Sequence, residues 1–104
     1  MTINEVKLKL DAEAVVLFDK PVEGAYAGDF LSRVMSKAPS GCVWLTVMNN
    51  VNVAGVAALA EIGAIVLCEG VVPDPVLCDK CRAEEISLLT TRLDVFSACV
   101  RLGS

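Results

Sequence analysis

The residues of this chain that could do chemistry are few. Cys78-Asp79-Lys80-Cys81 has the C-x-x-C spacing at which two thiolates can share a metal ion or cycle with a disulfide, and a place early in a helix would lower a thiol pKa. A closed structural zinc site needs four ligands. Here there is no second C-x-x-C and no histidine anywhere in the chain. Leu77 and Cys81 are spaced i, i+4, which places the sulfur on a packed helix face. Packing as a small hydrophobe is therefore the leading reading of Cys78 and Cys81, and also of Cys42, Cys68 and Cys99, which sit in apolar runs. A thiol or iron–sulfur/metal accessory protein acting through Cys78 and Cys81 stands as the alternative. The missing histidine also removes Ser-His-Asp and Cys-His nucleophilic catalysis and imidazole acid/base chemistry near neutral pH. No G-x-x-x-x-G-K-[ST] loop is present for nucleotide hydrolysis, and no G-x-G-x-x-G follows a strand. The expectation is a chain with no catalytic residues, no cofactor and no enzymatic activity.

Polar residues at the ends of apolar runs are the better candidates. Asn49, Asn50 and Asn52 lie where a buried strand feeds a helix, the edge at which open α/β sheets bind ligands. Capping accounts for one asparagine; three within four residues raise a ligand or an interface as a second reading, with turn and cap chemistry still the leading one. Asp29 with Ser32 opens another helix, either as its N-terminus or by hydrogen-bonding across to the asparagine loop. Thr90 and Thr91 end a third apolar run at the same edge, with helix capping as the plainer reading. The candidate ligand-binding set is Asp29, Ser32, Asn50, Asn52 and Thr90.

These positions presuppose a scaffold. Residues 3 to 10 have a short amphipathic helix pattern suited to a lid. Residues 14 to 18 and 22 to 27 read as two short strands separated by the turn-forming Asp19-Lys20-Pro21. Phe30, Leu31, Val34, Met35 and Ala38 form the buried stripe of a helix ending near Pro39 and Gly41. Residues 42 to 48 are a strand covered on both faces. Residues 51 to 62 follow as a helix with no solvent face to spare, and Gly63 reads as its C-terminal glycine. Residues 64 to 68 are a second buried strand. Asp74 and Pro75 are N-cap and first residue of a helix running to about Glu85, and residues 86 to 89 are a third strand. Thr91-Arg92-Leu93-Asp94 matches a capping box, ahead of a last helix with Val95, Phe96, Cys99 and Val100 as its apolar stripe. From residue 41 onward the order is β-α-β-α-β-α, which calls for an α/β fold: a small, mostly parallel sheet with flanking helices and right-handed crossovers.

The 104 residues suffice for one domain, 1–104. Nine basic against thirteen acidic residues, net −4, with the basic ones scattered, argue against nucleic acid or an anionic membrane as partners. The first residues lack the pattern of a signal peptide, and the longest apolar tract is interrupted by Asn52, Glu61 and Glu69, so no membrane span is expected. Five cysteines, an odd number, fit a reducing cytoplasm better than a disulfide framework. Hydrophobic residues make up 55% of the chain, more than so small a core needs, and the surplus suggests a homodimer through the apolar helix 51–62, although burial of that helix within one subunit accounts for the same pattern.

Read together, VEGAYAGDFLSRVM (22–35), CVWLTVMNNVNVAGVAAL (42–59) and GAIVLCEGVVPDP (63–75) resemble the DRTGG-domain family across about residues 1–102. The most specific piece is Asp29, Leu31, Ser32, Val34 and Met35, matching an Asp-Leu-Leu-Ser-x-Val-Met helix start with Phe30 in place of one leucine. The family's His-x-Asn corresponds to Asn50-Val51-Asn52, so the asparagine agrees and the histidine is replaced. The signature pentapeptide is absent, its approximate place being taken by Asp19-Lys20-Pro21-Val22-Glu23-Gly24. The resemblance implies a small α/β domain similar to the amino-terminal domain of HPr kinase/phosphorylase, found also within phosphotransacetylases and some CBS-containing pyrophosphatases, where it is an accessory module. Kinase activity there belongs to a separate phosphate-loop domain absent from these residues. The function so implied is a non-catalytic regulatory module that binds a small ligand or a partner protein.

Overall fold

Two runs of four residues organise the molecule. Every residue of β3 (Val43–Thr46) and β4 (Ala64–Leu67) is buried, as are the first three of β5 (Ser87–Thr90). Strands buried on both faces cannot stand at a surface, so they pair side by side and are covered above and below. In the structure, a computed structural model describing residues 1–104, they are the parallel centre of a five-stranded sheet of order β1-β5-β4-β3-β2. β2 (Ala25–Ala27) extends it in parallel beside β3, and β1 (Glu13–Val16) closes the other edge antiparallel to β5. The α/β class and mostly parallel sheet are as expected.

The register aligns Trp44, Ile65 and Leu88 in one row and Leu45, Val66 and Leu89 in the next. The pleat sends these rows to opposite faces. The first row packs under α2 (Leu31–Lys37), α3 (Val51–Leu59) and α4 (Pro75–Ala83), with α3 between the other two. The second packs under α1 (Ile3–Lys9) and α5 (Val95–Leu102). Buried polar groups are paired: the Ser87 hydroxyl donates to Phe18 O (3.1 Å) and accepts from Phe18 N (2.9 Å), and Thr91 Oγ1 donates to Leu10 O (2.8 Å).

Several expectations are corrected. α1 is not a lid, because Ile3, Val6 and Leu10 are fully embedded in the second core. Asp19-Lys20-Pro21 carries the chain from one edge of the sheet to the other, with Pro21 bridging to Thr2. The stripes read for α2 and α5 are too wide. Only Val34 of α2 is buried, while Phe30 and Met35 are exposed; on α5 the buried residues are Ala98 and Leu102, and Phe96 is 78% exposed. Short helices lying on a small sheet bury one narrow row, so apolar neighbours one residue off that row face out. α3 likewise has an outer face, where Leu59 is 74% exposed. Thr91 is not the cap, since α5 begins after Asp94; its hydroxyl donates to Leu10 O and accepts from Leu93 N at 3.2 Å, and Asp94 caps α5, accepting from Ser97 N at 2.7 Å.

Helix ends show a device with no glycine in it. After α1, α3 and α4 the residues Asp11, Glu61 and Glu85 adopt left-handed φ values of 48°, 56° and 55°. Each closes a Schellman pair: Ala12 N to Lys7 O, Ile62 N to Ala57 O and Ile86 N to Cys81 O, all 2.9 Å. The apolar residue that follows turns inward each time. Gly63 is therefore not the helix-terminating glycine. Its role is steric, since a Cβ there would lie 2.6 Å from Gly41 O and 2.8 Å from Val22 Cγ1. Opposite effects follow in urea unfolding. Gly63→Ala loses about 1–3 kcal/mol through overpacking. Glu61→Gly gains about 0.5–1 kcal/mol by relieving left-handed strain and removing an anion from a helix C-terminus. A destabilised Glu61→Gly variant contradicts this account of the turn.

Candidate functional site

The loops that leave the carboxyl ends of β2, β3, β4 and β5 carry most of the polar residues singled out above. Asp29 does not cap α2, whose N-cap Phe30 makes no side-chain bond. Its Oδ1 instead reaches across to the end of β3, accepting from Thr46 Oγ1 (2.6 Å) and Val47 N (3.0 Å). Thr46 Oγ1 in turn accepts from Met48 N at 3.3 Å, and Trp44 Nε1 donates to Gly28 O at 2.8 Å. The β2–α2 loop is thereby fixed to the strand that feeds the asparagines. Asn49 Nδ2 donates to Val72 O at 2.8 Å and so ties this loop to the β4–α4 loop. Asn50 caps α3, its Oδ1 accepting from Asn52 N at 2.9 Å. Asn52 and Ser32 lie exposed in the first turns of α3 and α2.

Thr90 stands apart. Asp29 follows β2 and Thr90 ends β5, three strand spacings or about 14 Å along the edge. Thr90 is half-buried and lines a separate cleft of about 610 Å³ at the carboxyl ends of β4 and β5. The walls are Asp11 of the α1–β1 turn and Glu13 at the start of β1, the β4–α4 loop (Gly70, Val72), the β5–α5 loop with Arg92, and Arg101 from the last turn of α5. Asp29, Ser32, Asn50 and Asn52 thus share one end of the sheet edge, and Thr90 occupies the other. Reading the sequence did not single out Arg92 or Arg101. Arg92 follows the strand-ending threonines and was within reach of the same edge argument; Arg101 is nine residues further on, and the packing of α5 on the sheet and against α1 brings it there. A smaller cleft, about 320 Å³, opens at the opposite, amino-terminal edge beside Gly41, Glu61 and Gly63.

The cysteines are placed as packing residues. Cys78 and Cys81 lie on the inner face of α4 within the first core, and Cys42 and Cys68 are equally enclosed; only Cys99 keeps partial exposure. Burial, reinforced by the adjacent Cys78, pushes the Cys81 thiol up to about 11. Burial, followed by Cys99 and the carboxylates of Glu69, Asp29 and Asp94, does the same for Cys68. Both shifts oppose the thiolate that redox or metal chemistry requires. No group of three His, Cys, Asp or Glu side chains is gathered to hold a metal ion. The geometry gives the thiol and metal reading no support.

No protein-family model and no curated protein matches the chain. Among solved structures it is similar to the CBS and DRTGG domains of the regulatory region of Clostridium perfringens pyrophosphatase, crystallised with the activator diadenosine tetraphosphate. The TM-score is 0.80 at 13% identity, over 97% of this chain and 45% of the other, so this chain spans less than half of that neighbour. The fold is thus one shared with part of a nucleotide-activated regulatory region. No helix is long and apolar enough to cross a membrane.

The placement of the thiols predicts their reactivity. In the folded protein at pH 8, a thiol reagent such as DTNB should modify Cys99 alone at an appreciable rate, and all five cysteines after denaturation. Because the folded pKa values of Cys68 and Cys81 lie above the ordinary 9.0, the stability they contribute is complete below pH 9 and declines as the pH rises toward about 11. Rapid native labelling of Cys78 or Cys81 contradicts this placement.

Proposed function

We propose that this protein is a non-catalytic regulatory module of the DRTGG type that senses a small ligand at the carboxyl edge of its sheet. The observation that carries the reading is the open cleft and polar loop cluster at that edge, on a fold shared with a regulatory region. The ligand-binding residues proposed are Asp29, Ser32, Asn50 and Asn52 at one end and Thr90 at the other. Absence of histidine and of a phosphate loop supports the lack of catalysis. Nucleotides are the first ligand class to test, since the structural neighbour was crystallised with diadenosine tetraphosphate as its activator. Isothermal titration calorimetry with that compound and with AMP should give saturable heat at one site per chain. Absence of heat for both, or nucleotide turnover abolished by a single point substitution, overturns the reading.

A cytoplasmic setting is part of the same proposal and is supported by five unpaired cysteines. So is a homodimer. The outer face of α3 presents Val51 and Leu59 around the small Gly55 and Ala58, and Met35 of α2 is exposed on the same layer. A second copy would cover this stripe, the small residues allowing close approach of two backbones. Because Leu59 lies outside the core, Leu59→Lys should leave the fold intact and shift the protein to monomer in sedimentation velocity. A wild-type chain that sediments as a monomer at tens of micromolar removes the dimer from the proposal.

A further inference from the structure

We propose that the cleft at the carboxyl ends of β4 and β5 binds a phosphate ester bearing free hydroxyl groups, with Arg92 and Arg101 holding the phosphate. This assignment rests on the ligand-sensing reading and specifies its site and chemistry. The chain is acidic overall and has four arginines, of which two line this one cleft. The two ion pairs of the molecule, Lys80–Glu84 and Asp79–Arg82, are both on α4 and its C-cap. Arg92 and Arg101 are in neither, although Asp11 and Glu13 line the same cleft. Each guanidinium therefore presents a planar fork of N–H donors with no protein acceptor. That fork matches the paired oxygens of a phosphate.

The remaining lining narrows the ligand. A bare polyanion would meet the carboxylates of Asp11 and Glu13, which favour a molecule that also offers hydrogen-bond donors. Sugar hydroxyls supply them, and carboxylate oxygens accept. The Thr91 hydroxyl is committed to Leu10 O, whereas the neighbouring Thr90 hydroxyl has no protein partner and is free for the ligand. Val71, Val72 and Leu93 give the cleft an apolar surface beside these polar groups, suited to a base or a sugar face. The turn at Gly70 has a φ of +69°, which the absence of a side chain permits, and it brings the β4–α4 loop back over the strand end with Gly70 N donating to Thr91 O at 2.9 Å. The backbone N–H groups of Gly70, Val71 and Thr91 are spent on Thr91 O, Cys68 O and Leu67 O, whereas those of Val72 and Arg92 have no protein acceptor and join the side chains as free donors of the cleft.

A nucleotide and a simple sugar phosphate share this chemistry, and the probes separate them. Binding of AMP, ribose 5-phosphate, inorganic phosphate and adenosine is measured by calorimetry on the full chain at low salt, with amide shifts followed by NMR. AMP and ribose 5-phosphate should bind, adenosine should not, and a tighter AMP complex identifies the nucleotide as the better ligand. Arg92→Met and Arg101→Met should each weaken the phosphorylated ligand by about tenfold or more. Arg33→Met, on α2 outside the cleft, should change nothing, and the shifts should centre on Gly70, Thr90 and Arg92. Unchanged affinity in both cleft variants, with shifts centred on Asp29 and Asn50, overturns this site and leaves the ligand-sensing reading intact. Adenosine binding as tightly as AMP also overturns the phosphate assignment. Failure of every phosphorylated probe to bind overturns the site and the nucleotide reading together.

Discussion

Burial of β3, β4 and β5 on both faces is the constraint from which the rest of this architecture follows. Val43, Leu45, Ala64, Val66 and Leu89 on one side, and Trp44, Ile65, Leu67 and Leu88 on the other, are all removed from solvent. A sheet with two apolar faces requires a helical layer on each, which is why a chain of 104 residues devotes five helices to five strands. It also decides where polar chemistry can be placed. With both faces covered, only the two edges of the layered stack remain, and the carboxyl edge is where the βα loops emerge.

The central strands and α4 were legible because their signals are local and strong: a run at 42–48 that is apolar but for Thr46, an unbroken apolar run at 64–68, and Asp74 with Pro75 where a helix begins. What misled is equally physical. A glycine after a helical run suggests a cap, yet Gly63 answers a close approach between chain segments distant in sequence, while Glu61 takes the left-handed turn at a cost in strain. Nothing in a sequence reports that Gly41 O lies where the Cβ would be. Apolar residues at helical spacing on α2 and α5 suggested broad stripes, but how much of a stripe is covered depends on the tilt and reach of neighbouring elements. Asp29, the asparagines and Thr90 were legible as residues of the carboxyl edge, because each follows or ends an extended run. Strand position does not report that Asp29 is tied to Thr46, or that Arg101 arrives at the Thr90 end from another helix.

The ties between loops give the edge a mechanical character. Asp29 links the β2–α2 loop to β3, Asn49 links the β3–α3 loop to Val72, and Gly70 and Glu69 donate backbone bonds to the β5–α5 segment. Four successive loops are therefore joined in one hydrogen-bonded chain along the edge. Val72 itself is a wall of the larger cleft and accepts from Asn49. A ligand that orders the cleft would bear directly on the asparagine end of the edge, a route by which occupancy could be presented to a partner surface without movement of the sheet.

The central claim is that function resides at the carboxyl edge of a sheet whose core is inert. Amide hydrogen exchange, with and without saturating diadenosine tetraphosphate, tests it directly. The account predicts that β3, β4 and β5 exchange only through global unfolding in both states, slowed by the ligand to a common extent, and that further local protection falls on residues 28–30, 47–50, 69–72 and 91–93. Protection confined to the opposite edge, around Gly41, Gly63 and Glu85, or no ligand-dependent change at all, would contradict it.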